Sequence, residues 1–367
     1  MSRAYPAFAC DAPIPHRKVL RLWLRSVGGR STGSALWRVA LDTLLLASTL
    51  AGIVAIQALA AKLLLGLIAG FVIGRLFILG HDACHHSLTP HRRLNAGLGR
   101  LLMLPSLTPY SLWDVGHNVV HHGYTNLKDF DFVWQPRTLA EYRALPAWRR
   151  RLERIYRSGW APGLYYMLEI WWRRMYFPRP ADMPTRRRIF RIDSLLVTAF
   201  ALLWMALLAI AAWHSGQSVL LLLATGFVLP QLVWNAMIGF VVYIHHTHTR
   251  VVWHADKPSW SQAQPFVSTT VHVRFAAKPS RFDWGALMHH INEHTAHHVD
   301  MTIPLYRLRQ AQKILEDKMP GRIVTQRFSW RWYFATARRC KLYDYRRRCW
   351  LDFSGRPTTA AVAALPA

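Results

Sequence analysis

The sequence predicts an all-α integral membrane protein, four transmembrane helices with a cytoplasmic helical cap. Three observations carry that reading. The chain of 367 residues is 52% hydrophobic yet has a formal net charge of +27. These two properties are segregated into long apolar runs and arginine-rich segments, the pattern of a multi-span protein with basic cytoplasmic parts. Finally, groups of histidines with helical spacing fall at the ends of the apolar runs or in the basic segments. Nucleic-acid binding would account for the charge but leaves the apolar runs unexplained, so no nucleic-acid partner is expected.

Residues 1–38 are polar and basic, with Arg3, Arg17, Lys18, Arg21, Arg25, Arg30 and Arg38, and their opening stretch has no apolar core of the signal-peptide kind. A first span is expected over 39–61, with Asp42 near its start at the interface. A second follows over 63–80, which leaves Lys62 in the outside turn. Arg75 interrupts the second span, and an arginine at that depth faces protein or snorkels out. Residues 87–192 form a long basic segment. Within it, 101–113 is apolar but broken by Pro105 and Pro109, which fits an interfacial or re-entrant piece. The mixed tryptophan and arginine at 148–160 and 171–180 suit amphipathic helices on an anionic leaflet, and an ordinary basic surface helix equally well. A third span is expected over 193–213, an uncharged turn over 214–218, and a fourth span over 219–244 in which Pro230 predicts a kink. The main domain is read as 39–320. The rest, 321–367, is a basic segment ending in a disordered tail of about a dozen residues.

The arginine-rich parts all lie on one side of this topology. By the positive-inside rule, both termini and all the histidine groups are then cytoplasmic, in a multi-pass protein of the cell membrane. Cys10, Cys84, Cys340 and Cys349 show no paired spacing, so neither disulfides nor a cysteine-held metal is expected.

The histidines carry the chemistry, and there are 19 of them. His81 and His85 stand at i and i+4, followed by His86. His117, His121 and His122 repeat that spacing, and His294, His297 and His298 form a third group. Residues at i, i+3 and i+4 share one helix face. A fourth group, His245, His246 and His248, closes the fourth span. Neutral imidazole suits iron, zinc, copper and nickel. One metal takes about four to six ligands, so nine or so histidines imply two metals. The chain has no Glu-x-x-His and few glutamates, which points away from carboxylate-rich di-iron proteins. A membrane metal-binding or transport protein is the alternative of another class. It would place ligands at mid-membrane depth, where these spans have almost none.

As a set, these segments resemble the membrane fatty-acid desaturases, closest to acyl-lipid desaturases of the Δ12/ω-6 kind. GHDACHHS resembles their first histidine box. HNVVHHGYTN with DFDFVWQPRT resembles the second box and its acidic sequel. YIHHTH resembles the segment closing their fourth span, and HHINEHTAHHVDMTIPLYRLRQA the third box and its Ile-Pro-x-Tyr sequel. The resemblance covers roughly residues 35–320. It departs from the family at His86, where some relatives have arginine, and in the three residues inside the second box, where plant forms often have two.

The resemblance implies a non-haem di-iron centre that uses O2 to insert a cis double bond into the acyl chain of a membrane lipid. Carried over by position, the ligands are His81, His85, His117, His121, His122, His246, His294, His297 and His298. His86, His245, His289 and Asn292 are implied as extra or supporting groups, with Asp82 and Glu293 placed to orient imidazole N–H groups. A related hydroxylase or ketolase acting on lipid or carotenoid shares the centre. No cytochrome- or ferredoxin-like stretch is evident in the chain. The implied electron donor is therefore a separate protein, ferredoxin-like with its reductase and acidic towards the basic face.

Overall fold

In the computed structural model the described residues are 14–179, 182–263, 266–275 and 284–361. The architecture is helical. Among the described residues four helices are long and apolar enough to cross a membrane: Thr32–Ala55, Leu59–Cys84, Arg188–His214 and Val219–His246. The chain divides into two compact units. Unit 1 comprises Met1–Gly29, Val119–Pro162 and Phe240–Ala367, and unit 2 comprises Arg30–Asn118 and Gly163–Gly239.

Unit 2 holds most of the apolar helices. The first starts seven residues earlier than its hydropathy suggests, because the Ser31 hydroxyl accepts the Ser34 amide and fixes an N-cap there. It ends at Ala55, so Lys62 lies inside the second helix rather than in the turn. Lys62 is fully buried, and its ammonium meets the Ile53 carbonyl and, at 2.6 Å, Gln217 Oε1. Gln217 in turn donates to the Val54 carbonyl at 2.7 Å. Two of the open carbonyls at the end of the first helix are thereby satisfied.

Asp42 does not face the interface. It is fully buried and paired with Arg75, whose Nη2 and Nε lie 2.8 and 2.9 Å from Asp42 Oδ1. The two intramembrane charges therefore answer each other. Packing between the second and fourth apolar helices depends on small residues: a Cβ added at Gly70 would lie 2.5 Å from Val233 Cβ and 2.7 Å from the Pro230 carbonyl oxygen.

The segment 101–113 does not span. It closes the helix Arg92–Met103 and reopens as the short helix Tyr110–Trp113. Asp193, at the start of the third apolar helix, ties it down by accepting Arg100 Nε at 3.1 Å and the Ser111 amide at 2.9 Å. Among the described residues three stretches are π-helical, namely Asp114–His121, Tyr166–Tyr176 and Ala224–Val228. The last of these widens the helix just before Pro230.

Unit 1 contains the arm helix Arg17–Leu24, which buries Leu20, Trp23 and Leu24 and packs on the helix Leu305–Lys318. Two short parallel strands pair Val271 with Val324 and Arg274 with Arg327. Parallel strands need a crossover, and this one carries the six-residue helix His294–Val299 followed by Leu305–Lys318. An antiparallel hairpin, Leu342–Asp344 with Cys349–Leu351, packs on Tyr142. The tail is ordered further than its composition predicts. The Thr358 amide donates to the Trp350 carbonyl at 2.9 Å, and the Arg356 amide to Asp352 Oδ1 at 2.9 Å. Cys10 and residues 362–367 lie outside the described residues.

Candidate metal centre

In unit 1, His121, His246, His294 and His298 converge. One ligand nitrogen from each lies within 4.8 Å of the others, and all four residues are buried. Nε2 of His294 stands 2.8 Å from Nε2 of His246 and 3.1 Å from Nε2 of His298. The rings stand edge to face, at 87° between His121 and His298 and 82° between His246 and His294. Two imidazole nitrogens facing each other can share one proton at most. Four converging on one point form a donor set suited to a divalent cation.

Two of the outward nitrogens, those of His121 and His298, are held from behind. His121 Nδ1 lies 2.9 Å from Asp131 Oδ1. Asp131 is fully buried and also accepts the Asn126 and Val133 amides at 2.8 and 3.0 Å. The Thr125 hydroxyl donates to the His121 carbonyl at 2.7 Å, so it accepts from His298 Nδ1 at 3.2 Å. Both contacts place the proton on Nδ1 and leave Nε2 with its lone pair. Burial first, and neighbouring imidazoles second, hold His294 and His298 well below the usual histidine range. They are therefore neutral at physiological pH, as metal ligation requires.

His122 and His297 form a second grouping in unit 1. Their rings lie 4.6 Å apart at 85°, and His122 stacks on His298 at 4.2 Å. In unit 2, His81 Nε2 lies 2.7 Å from His117 Nε2 and 3.1 Å from His85 Nε2. All three are buried, and Trp113 stacks on His117 at 4.7 Å. Asn118 fixes this arrangement by donating to Asp114 Oδ1 at 2.7 Å and to the Cys84 carbonyl at 3.1 Å.

Helical spacing alone groups these residues differently. His117 and His121 stand four residues apart in a π-helical stretch yet meet different partners, His81 and Asp131. His117 groups with His81 and His85, whereas His121 joins the tetrad. The third box divides as well: His294 and His298, at i and i+4, enter the tetrad, while His297 turns to His122.

The remaining expected groups lie outside these clusters. His245 stacks flat on His294 at 4.6 Å and 17°. His248 is taken up by the Arg250 amide at 3.0 Å and Gln326 Oε1 at 3.3 Å, and burial lowers its pKa to about 4. His86 and His289 adopt left-handed backbone, with φ of 56° and 48°. Asn292 Nδ2 donates to the Val273 carbonyl at 3.3 Å. Asp82 Oδ1 is 3.9 Å from His81 Nδ1, beyond hydrogen-bond reach, and Glu293 Oε1 is 3.6 Å from His290 Nδ1. Asp131, which does orient a ligand-like imidazole, read in sequence only as part of an acidic turn. Its sole local signal is its place in Asp129-Phe130-Asp131, directly after the second box.

Residues 58–330 match the sequence profile of the fatty acid desaturase family. The sn-1 oleoyl-lipid 12-desaturase of Arthrospira platensis is 28% identical over 245 residues, covering 65% of this chain and 64% of that enzyme, just under two thirds of its length. A protein of the same name from a Picosynechococcus species is 27% identical over 284 residues, covering 76% of this chain and 75% of its own. The sn-1 acyl-lipid omega-3 desaturase (ferredoxin) of a Synechocystis species is 29% identical over 254 residues, covering 68% and 66%.

Proposed function

The chain belongs to the fatty acid desaturase family, and we propose that it inserts a cis double bond into the acyl chain of a membrane lipid, with O2 as co-substrate and two histidine-held irons. The observation that carries this reading is the buried tetrad His121, His246, His294 and His298, with His121 backed by Asp131. An inward-facing imidazole set with two of its N–H groups held from behind is how proteins prepare a metal site. The proposed ligands are these four together with His81, His85, His117, His122 and His297. The domain that bears them is taken as 39–320.

Bound iron would supply the oxidising power needed to remove two vicinal hydrogens from an unactivated chain while O2 is reduced to water. The protein's own residues do the rest. Asp131 and Thr125 keep protons on the Nδ1 atoms of His121 and His298, so those rings present Nε2. Burial of the tetrad excludes water, which protects a reactive centre from side reactions. The lipid names of the relatives support an acyl-lipid substrate. A ferredoxin-like donor with its reductase is supported by the Synechocystis relative's name and by the net charge of +27, which favours an acidic partner. The arginine distribution supports a cell-membrane location with both termini cytoplasmic.

The test is expression in a host that lacks polyunsaturated lipids, with new double bonds located by mass spectrometry and metal counted in the purified protein. The expected result is oxygen-dependent new unsaturation and two irons per chain. Zinc content with unchanged lipids would reject the reading.

A further inference from the structure

The helix His294–Val299 carries three of the proposed ligands on six residues. Isolated helices shorter than roughly 12–15 residues are marginal in water, and its own N-cap residue, Glu293, makes no side-chain capping bond. Its ends are held by other elements instead. At the N-terminal end, Gln312 Oε1 accepts the Ala296 amide at 3.0 Å. Gln312 is 1% exposed, and its amide orientation is set by Glu316, which accepts Gln312 Nε2 at 3.1 Å. Glu316 is itself anchored to both strands, through His272 Nδ1 at 2.6 Å, Thr325 Oγ1 at 3.2 Å and Arg274.

At the C-terminal end, Arg17 of the arm helix donates Nη2 to the His298 carbonyl at 2.7 Å and Nε to the Val299 carbonyl at 3.0 Å. Arg21 adds a bond to Val299 at 3.2 Å. The Arg17 guanidinium also lies over the Phe266 ring, 4.0 Å from its centroid. One planar fork thus spans two successive open carbonyls, where a cation also complements the helix dipole.

We propose that Arg17 and Gln312 are positioning residues that cap the two ends of the ligand helix from outside and so fix the rotation of His294 and His298 into the tetrad. The arm helix supplies no ligand, yet it grips the backbone of a ligand residue directly. The role follows from the leverage of a short helix. A rotation by one residue is about 100°, and it would carry both imidazoles off the cluster with no other part of unit 1 unfolding.

This proposal rests on the metal-centre reading, and its test separates the two. Cobalt(II) is titrated into the purified, detergent-solubilised full chain, with its ligand-field spectrum followed. Wild type is expected to take two cobalt ions with histidine-ligand bands. In Arg17→Ala and Gln312→Leu, the affinity of the tetrad's cobalt, which takes two ligands from this helix, should fall about tenfold and its bands should shift, while the other cobalt, which takes only His297 from it, should be weakened less. Arg17→Lys keeps the charge but not the fork and should restore part of the affinity. Arg21→Ala, which loses one bond, should change it little. Two cobalt ions bound with wild-type affinity and bands in Arg17→Ala would overturn the proposal. If Arg17→Ala does not fold, the same wild-type result in Arg17→Lys and Gln312→Leu would overturn it. A wild type that binds no metal would remove the metal reading itself, and the capping role with it.

Discussion

His121 turns Nε2 inward because Asp131 holds its Nδ1 at 2.9 Å, and Asp131 is fixed by two backbone amides. Replacing Asp131 by asparagine keeps the shape but removes the charge that raises the imidazole's basicity. The expected cost is about 10–100-fold in metal affinity, read by cobalt or iron titration of the purified protein. Glu316 gives a second prediction at this scale. Burial works to raise its pKa, but the hydrogen bond and charge of His272, with Gln312 and Arg274, outweigh that and bring it down to about 2 from an ordinary 4.5. A depressed carboxylate contributes stability that is fully present above about pH 4.5 and is lost as pH falls towards 2. Glu316→Gln should therefore flatten the acid side of the melting-temperature profile between these values. An unchanged acid slope would show that Glu316 is not the titrating group.

The elements that place these residues are held by polar pairs as much as by apolar packing. Arg75 and the fully buried Asp42 join the first two apolar helices. Arg75→Ala leaves the Asp42 carboxylate buried without its guanidinium, a loss on the order of 3–5 kcal/mol for a broken buried pair. The double variant Arg75→Leu with Asp42→Leu should recover much of it, because no charge then remains inside. Denaturant or thermal unfolding in detergent measures both. Equal losses in the single and double variants would mean that the pair is not coupled. The π-helical stretch Asp114–His121 works at the same scale. The sequence gives His117, His121 and His122 an α-helical spacing, and in the fold His117 meets His81 while His121 meets Asp131. Those partners come from elements distant in the chain, so this partition was not legible from spacing.

At the scale of the whole chain, the tetrad joins residues as far apart as His121 and His298. A ligand that binds only the folded state stabilises it by mass action. Stoichiometric metal should therefore raise the melting temperature of the purified protein, and chelation should lower it. An unchanged transition would mean that these histidines hold no metal.

The sequence by itself determined the helical membrane architecture and, among the described residues, the number of long apolar helices, because hydropathy and residue chemistry are local properties. It also placed Asp42 and Arg75 inside apolar runs but could not pair them, and it put Lys62 in a turn that the fold does not make there. Only the tertiary structure decided how the histidines divide among clusters, that Asp131 backs an imidazole, and that the arm helix grips His298 through Arg17. Each of those contacts joins residues on separate elements or depends on helix geometry at a single turn. Side-chain direction there is set by packing and hydrogen bonding, which residue spacing along the chain does not encode.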